Sequence, residues 1–408
     1  MNRGMVIVGA GEAGVRAAAT LRLTGYGGPI TIIGAETAAP YERPPLSKAH
    51  LSVTHPTPVP IASVRLWSDV DYRPGVSAEL ISPEQQTVTL TSGEIIDYDK
   101  LLLATGARAR TLSLPKVPDS SILTLRTLAD AHRVRERLRP GLQVVIIGGG
   151  FIGLEVAASL ATTGIEVHVV EAQARILQRA VPAALAELLA AEHAQRGVKI
   201  HLATSVVDID TRQDRRTITL NDGSQVVAGL IIAGIGAQPN TELADAAGLE
   251  VINGIAVDAS LCTSNPHIYA AGDCVSFPHA LYGGARLRLE SWRCAQEQGE
   301  MAARNMLGAN DTYSKAPWFW SDQFDLGLQI VGLPAFATQT VTRELGERAR
   351  LLFHLNDTGQ LVSASGIAPG NAVARDIRIA EILIERRYQP DPAMLADPTA
   401  KLKPLLKQ

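Results

Sequence analysis

At 408 residues the chain has room for about two or three domains, and 46% hydrophobic with 19% charged residues excludes a disordered protein. A formal net charge of −3 gives no general attraction to nucleic acid or to anionic membranes, and no apolar run reaches the ~20 residues of a membrane-spanning helix. The first apolar run has no basic leader ahead of it, so the cytoplasm is the expected compartment.

Cysteine usage narrows the chemistry. The three cysteines, Cys262, Cys274 and Cys294, form no C-x-x-C pair. That excludes a disulfide framework, a cysteine zinc site and an iron–sulfur cluster of the chain's own. No metal centre is expected, and each thiol reads as a small buried hydrophobe.

In chain order, residues 5–8 (MVIV) read as a fully apolar strand, 14–23 as a helix and 30–33 as a second strand, a βαβ unit with parallel strands. The loop 39–48 (APYERPPLSK) should be stiff and extended, because Pro44 and Pro45 fix φ and lack backbone donors. A strand at 87–90 precedes a Ser92-Gly93 turn, and 98–107 (YDKLLLATGA) is a buried strand running into glycine. The cycle then restarts. Residues 144–147 read as strand, 153–163 as helix, 165–172 as strand and 183–195 as helix. A hairpin follows at 217–227 around Asn221-Asp222-Gly223, and 229–240 (GLIIAGIGAQPN) repeats the strand-then-glycine ending. Gly148 lies 139 positions after Gly9, so the repeat is a duplication at domain scale. The chain returns to strand through 254–274 and then to a helix at 295–307. Beyond 316–323 (APWFWSDQ), alternating strands lead to a helix near 374–386, which reads as a separate α+β domain.

Gly9-x-Gly11-x-x-Gly14 sits between strand and helix, as a dinucleotide site requires. The first glycine makes the turn, the second admits the pyrophosphate to the backbone, and the third lets helix and strand pack closely. Glu36, 25 residues after Gly11, is the candidate ribose ligand; an exposed loop carboxylate is the other reading. Gly148, Gly150 and Gly153 repeat the pattern, and Glu171 closes the strand VHVVE 18 residues after Gly153. A carboxylate there accepts ribose hydroxyls and repels a 2′-phosphate, which favours NADH over NADPH. Arg175 and Arg179 follow closely and could take a phosphate, or could lie on a solvated face. Glu155 is either a carboxylate favoured by the helix dipole, at about 0.3–1 kcal/mol, or a contact for the nicotinamide end of the cofactor. Asp273 is either the N-cap of a following helix or a ligand for a polar cofactor chain.

The order of GxGxxG, RPPLSK, LLLATGA, LRTLADA, GGGFIGLE, VVEA, GIG, AAGDC and PWFWSDQ resembles the FAD-dependent, NADH-using ferredoxin reductases, the group of putidaredoxin reductase and the reductases of aromatic-ring dioxygenases. The likeness spans essentially the whole chain. It implies an α/β fold with two Rossmann-like dinucleotide-binding domains, as in glutathione-reductase-like flavoproteins, plus the C-terminal α+β domain. The implied boundaries are 1–113 with 245–315 for FAD, 114–244 for NAD, and 316–408. FAD would be bound tightly but non-covalently by the first turn, with Ala13 on the pyrophosphate and the turn Ala104-Thr105-Gly106 beside it. Arg43 and Lys48 would lie along the flavin, Lys48 within reach of Glu155, and these two would form the catalytic pair. Val76 and Arg126 would line the adenine and phosphate end. Gly272 and Asp273 would meet the ribityl chain and Trp292 the flavin. The second turn with Phe151, Ile152, Glu155, Glu171 and Gly236 would hold NADH. The chain has Gly34-Ala35 where relatives often carry Gly-Asp, so Glu36 departs from the family pattern.

The implied activity passes electrons from NADH through FAD to a [2Fe–2S] ferredoxin serving a haem-thiolate monooxygenase or a ring-hydroxylating dioxygenase. Trp318 and Trp320 are expected to shield the flavin. Arg286, Arg288, Arg293 and Arg304 form either a ferredoxin-docking patch or a solvated face. A monomer or weak dimer, without nucleic-acid or membrane partners, is expected. The alternatives are an NADH oxidase or monodehydroascorbate-type reductase with a small-molecule acceptor, or an interaction flavoprotein like apoptosis-inducing factor.

Overall fold

The computed structural model describes residues 3–61, 69–115, 117–211 and 215–407. The strand Met5–Val8 is apolar and buried along its whole length. Such a strand needs cover on both faces, which a parallel sheet flanked by crossover helices provides. It pairs in parallel with Ile30–Gly34 on one side and Lys100–Leu103 on the other. Asp71–Pro74 and Ile268–Ala270 complete a five-stranded parallel sheet, with Ile268–Ala270 outside Lys100–Leu103. A second sheet is built the same way around Gln143–Ile147, flanked by Glu166–Val170 and Leu230–Ala233. Lys199–His201 and Leu123–Thr124 form its edges.

The duplication runs deeper than the glycine motifs. Each copy inserts a three-stranded antiparallel sheet before its fourth strand: Ala78–Ser82, Thr87–Leu90 and Ile95–Asp97 in the first, Val206–Asp210, Arg216–Leu220 and Gln225–Ala228 in the second. The copies differ at the outermost strand beside the fourth. The first draws it from downstream sequence, Ile268–Ala270, and the second from upstream, Leu123–Thr124.

The chain forms two compact units, Met1–Glu42 with Pro58–Arg108 and Gln238–Trp318, and Arg43–Thr57 with Ala109–Ala237 and Phe319–Gln408. The first contains one dinucleotide-type sheet. The second contains the other and the C-terminal sheet, whose strand order is Trp318–Gln323, Leu326–Gly332, Leu361–Pro369, Ala349–Leu355, Gln339–Gly346. Helix Ala374–Glu385 packs on the Leu326–Gly332 and Leu361–Pro369 strands through Ile377, Ala380, Leu383 and Ile384. Among the described residues, no helix is long and apolar enough to cross a membrane.

Two local expectations change. The proline loop is not extended throughout: Pro44–Ser47 is a 3-10 turn leading into helix Ala49–Ser52. A proline φ near −65° suits the first turn of a helix as well as an extended chain, and here Pro sits at that first turn. Asp273 does not precede a helix, because the Gly272 turn leads into strand Val275–His279. The N-cap reading of Asp273 is thereby removed.

In the first unit, helix Glu12–Leu23 lies against helix Trp292–Met306, and Gly299 makes the approach possible. A Cβ at Gly299 would stand 2.2 Å from the carbonyl oxygen of Ala13. Gly299→Ala must therefore move one helix, and is expected to destabilise the protein by about 1–3 kcal/mol, read as a lower urea midpoint. An unchanged midpoint would mean that the helices can part without cost.

Candidate functional site

The glycines of the two turns divide into two roles. Gly9 has φ +120°, and a Cβ there would lie 2.0 Å from the Ala104 carbonyl oxygen; one at Gly14 would lie 1.9 Å from that of Gly9. Gly148, with φ +106°, and Gly153 meet backbone oxygens in the same way, at 2.5 and 2.1 Å. These four positions are fixed by packing of the chain against itself. The middle glycines differ. A Cβ on Gly11 meets nothing within 4 Å, and one on Gly150 only the Gly234 oxygen at 3.8 Å. Each opens onto space at the start of a helix, Glu12–Leu23 or Phe151–Ala161, whose N-terminus carries no side-chain cap. Uncapped N–H groups facing an open glycine are the donor set that a pyrophosphate needs.

In the first unit Ala104, Thr105 and Gly106 continue from the Lys100–Leu103 strand, and the Thr105 hydroxyl donates to the Asn240 carbonyl at 2.7 Å. Ala13 is buried on the turn's helix. Val76 is half-buried and its N–H donates to the Gly34 carbonyl at 3.1 Å. Glu36 is half-buried and accepts from the Tyr41 hydroxyl at 2.5 Å. Gly272 has φ +87°, and its N–H donates to Gln298 Oε1 at 2.8 Å. Gln298 is completely buried, and its Nε2 has no protein partner among the described residues. An orphaned buried donor beside the Gly272-Asp273 turn fits a polar cofactor chain passing there. Asp273 and Trp292 are half-buried.

Arg43, Lys48 and Arg126 belong to the second unit, with the second glycine turn. The Arg43 guanidinium donates to the Arg126 carbonyl at 2.7 Å. The carboxylate of Glu155 is only 3% exposed and gathers three donors: Lys48 Nζ at 2.9 Å, Ser47 Oγ at 2.5 Å and Ser321 Oγ at 2.6 Å. Glu155 is the fifth residue of its helix, beyond the turn where the dipole acts strongly, so these side chains rather than the dipole hold it. Lys48 Nζ also stands 5.9 Å from the Trp320 ring centroid. Phe151 packs on Phe319 with centroids 4.1 Å apart, and Ile152 is 44% exposed.

Glu171 lies just past strand Glu166–Val170. Its carboxylate accepts from Gly149 N–H at 2.6 Å and Gln173 N–H at 2.7 Å, which fixes it beside the second turn. Arg175 is turned away from a phosphate role, donating to the carbonyls of Ile176, Gln178 and Val181. Arg179 is exposed. Gly236 has φ +108°, and its carbonyl accepts from Arg110 N–H at 2.9 Å.

The four arginines of the expected docking patch all have partners. Arg286 donates to the carbonyls of Val257 and Ser276, Arg288 pairs with Glu290, Arg293 with Glu297 at 3.0 Å, and Arg304 with Asp311 at 2.6 Å. Arg293 also lies 5.6 Å from the centroid of the half-buried Trp318. All three thiols are free. Cys274 and Cys294 are buried as expected, and burial pushes both thiols up, away from a reactive thiolate. Cys262 is only half-buried, and burial together with nearby Asp258 raises its thiol too.

Sequence reasoning missed Ser47, Ser321, Gln323 and His193. Ser47 and Ser321 lie inside the motifs PPLSK and PWFWSDQ, but nothing in either motif says that a hydroxyl points at Glu155.

Residues 3–299 match the pyridine nucleotide-disulphide oxidoreductase family and residues 318–406 the reductase C-terminal family. The chain is 41% identical to the ferredoxin–NAD(+) reductase component of an anthranilate 1,2-dioxygenase system from Burkholderia cepacia, over 98% of both chains. The ferredoxin reductase for the CYP199A2 system of Rhodopseudomonas palustris superposes with a TM-score of 0.93 at 36% identity, covering 99% of this chain and 100% of that one. A covalent putidaredoxin reductase–putidaredoxin complex gives 0.93 at 34% identity, covering 99% and 98%.

Lys48→Met would leave a buried carboxylate with hydroxyl donors alone. A loss of about 2–4 kcal/mol in unfolding free energy is expected, and Lys48→Arg should recover most of it. Equal stability of Lys48→Met and wild type in urea melts would show that the pair adds nothing.

Proposed function

The chain belongs to the pyridine nucleotide-disulphide oxidoreductase family, and from that footing we propose that it is an NADH-dependent flavoprotein ferredoxin reductase, passing electrons through FAD to a [2Fe–2S] ferredoxin that serves an oxygenase. The observation that carries the reading is the pair of glycine turns, each with an open middle glycine on an uncapped helix. A chain that keeps both copies open has two dinucleotides to hold. FAD belongs to Gly9, Gly11, Ala13 and Gly14 with Glu36, Val76, Ala104, Thr105, Gly106, Gly272, Asp273 and Trp292, together with Arg43, Lys48 and Arg126. NADH belongs to Gly148, Gly150, Phe151, Ile152, Gly153, Glu155, Glu171 and Gly236.

When bound, FAD accepts a hydride and gives up electrons singly, which is the conversion an iron–sulfur partner requires. The protein's own residues bind and orient. Glu171, fixed by two backbone N–H groups, presents a carboxylate to ribose hydroxyls, and Arg175 is committed to three carbonyls. Both facts support NADH over NADPH. Glu155 holds the Lys48 ammonium at a fixed point, and Trp320 packs beside it. With no cysteine pair and with its thiols raised by burial, the chain sends electrons to an external acceptor rather than to a protein disulfide. The relatives' names support a ferredoxin as that acceptor. Docking falls near Arg293, Arg304, Trp318 and Trp320, and the protein works in the cytoplasm as a monomer or weak dimer.

Three measurements test this. NADH should bleach the bound flavin, and Glu171→Ala should raise KM for NADH about tenfold, equal to roughly 1.4 kcal/mol, while narrowing the preference over NADPH. A wild type that prefers NADPH refutes the assignment of Glu171. Cytochrome c reduction should accelerate with a [2Fe–2S] ferredoxin; if no ferredoxin accelerates it while FAD is bound, the acceptor is a small molecule. Arg293→Glu with Arg304→Glu should raise KM for the ferredoxin and leave ferricyanide reduction alone, and no change in either activity would move the docking site elsewhere.

A further inference from the structure

The strand Trp318–Gln323 alternates its side chains, and Phe319, Ser321 and Gln323 share one face. Each meets a residue of the second dinucleotide domain in turn: Phe319 packs on Phe151, Ser321 donates to Glu155, and Gln323 meets His193 of helix Ala183–Gln195. The first two steps match in length. Two residues of strand advance about 6.6 Å, and the four residues of helix from Phe151 to Glu155 advance about 6 Å.

The hydrogen bonds along this face have one direction. Gln323 Oε1 can only accept, so His193 Nε2 donates to it, at 2.7 Å. Gln323 Nε2 can only donate, and it reaches Ser321 Oγ at 3.0 Å. The Ser321 proton is then committed to Glu155 Oε1 at 2.6 Å. His193 is wholly buried, Ser321 is wholly buried and Gln323 is 1% exposed, so water does not compete for these groups. Burial pushes the His193 imidazole down, which agrees with a neutral ring protonated at Nε2 and bare at Nδ1, where no partner is found among the described residues.

We propose that Ser321, Gln323 and His193 are positioning residues for the Lys48–Glu155 pair, so that the first strand of the C-terminal domain aims the charge pair of the second dinucleotide domain. The proposal rests on the reading that this pair serves NADH oxidation by the flavoprotein. Ser321 touches the carboxylate, and Gln323 and His193 act through Ser321. A carboxylate held by two directed hydroxyl donors, Ser47 on one oxygen and Ser321 on the other, cannot rotate to follow Lys48, so Lys48 must come to it.

The test uses the holoenzyme in stopped flow, with NADH as reductant and flavin bleaching as the signal. Ser321→Ala should slow bleaching at saturating NADH about tenfold with less than about a twofold change in Kd for NADH. Ser321→Thr, which keeps the hydroxyl, should restore the rate. Asp322→Ser, at the exposed neighbouring position, should behave as wild type. A wild-type rate in Ser321→Ala, a loss confined to Kd, or failure of threonine to restore the rate overturns the positioning role. A second readout needs no turnover: nitrogen NMR of histidine-labelled protein should show His193 protonated at Nε2, and Gln323→Leu should remove that preference. An Nδ1-protonated His193 in wild type reverses the chain and refutes the proposal. If NADH does not bleach the wild-type flavin, the functional reading fails instead, and the NMR result still decides the chain.

Discussion

Glu155 is a carboxylate kept almost entirely from water, and such a charge persists only where donors replace the solvent it has lost. Its donors come from residues 47–48 and 321, which lie far from residue 155 in sequence. Much of the local architecture answers that need. The prolines wind the chain into a tight turn at Pro44–Ser47, and Ser47 and Lys48 leave that turn with both side chains on the carboxylate. The C-terminal strand contributes a hydroxyl and, behind it, an amide that is held in turn by the imidazole of His193 on helix Ala183–Gln195. Without these partners a carboxylic acid in the middle of an apolar helix would be a defect; with them it is a fixed negative point.

The two copies of the dinucleotide frame share strand order and glycine geometry, and they diverge where a ligand would be distinguished. In the second copy the carboxylate after the second strand is clamped by backbone N–H groups at the turn. In the first, the nearest equivalent, Glu36, accepts from a tyrosine hydroxyl instead. The glycine frame is common to both copies, whereas the side chains beyond the second strand are held differently in each.

The parallel sheets, their glycine turns and the C-terminal domain were legible in the sequence, because apolar runs and glycine spacing are local signals. The hairpin at Asn221-Asp222-Gly223 was legible for the same reason, and Gly223 adopts φ +83°. The reach of Lys48 to Glu155 came from family likeness, and the structure brings the two together. What escaped was non-local. Ser321 and Gln323 are ordinary polar residues until their strand lies against two helices, one of which carries His193. The proline loop misled because a fixed φ is shared by extended and helical turns, and Asp273 because a strand follows it rather than a helix.

The outermost strands carry a consequence for biogenesis. Every strand of the second parallel sheet lies between Leu123 and Ala233, so that sheet can close once this stretch has left the ribosome. The first sheet must wait for Ile268–Ala270, which pairs with Lys100–Leu103 across the whole of the intervening domain. Domains usually fold in the order of synthesis. Here the parallel sheet that begins first is completed second, and its nascent Lys100–Leu103 edge stays unpaired while the other sheet closes.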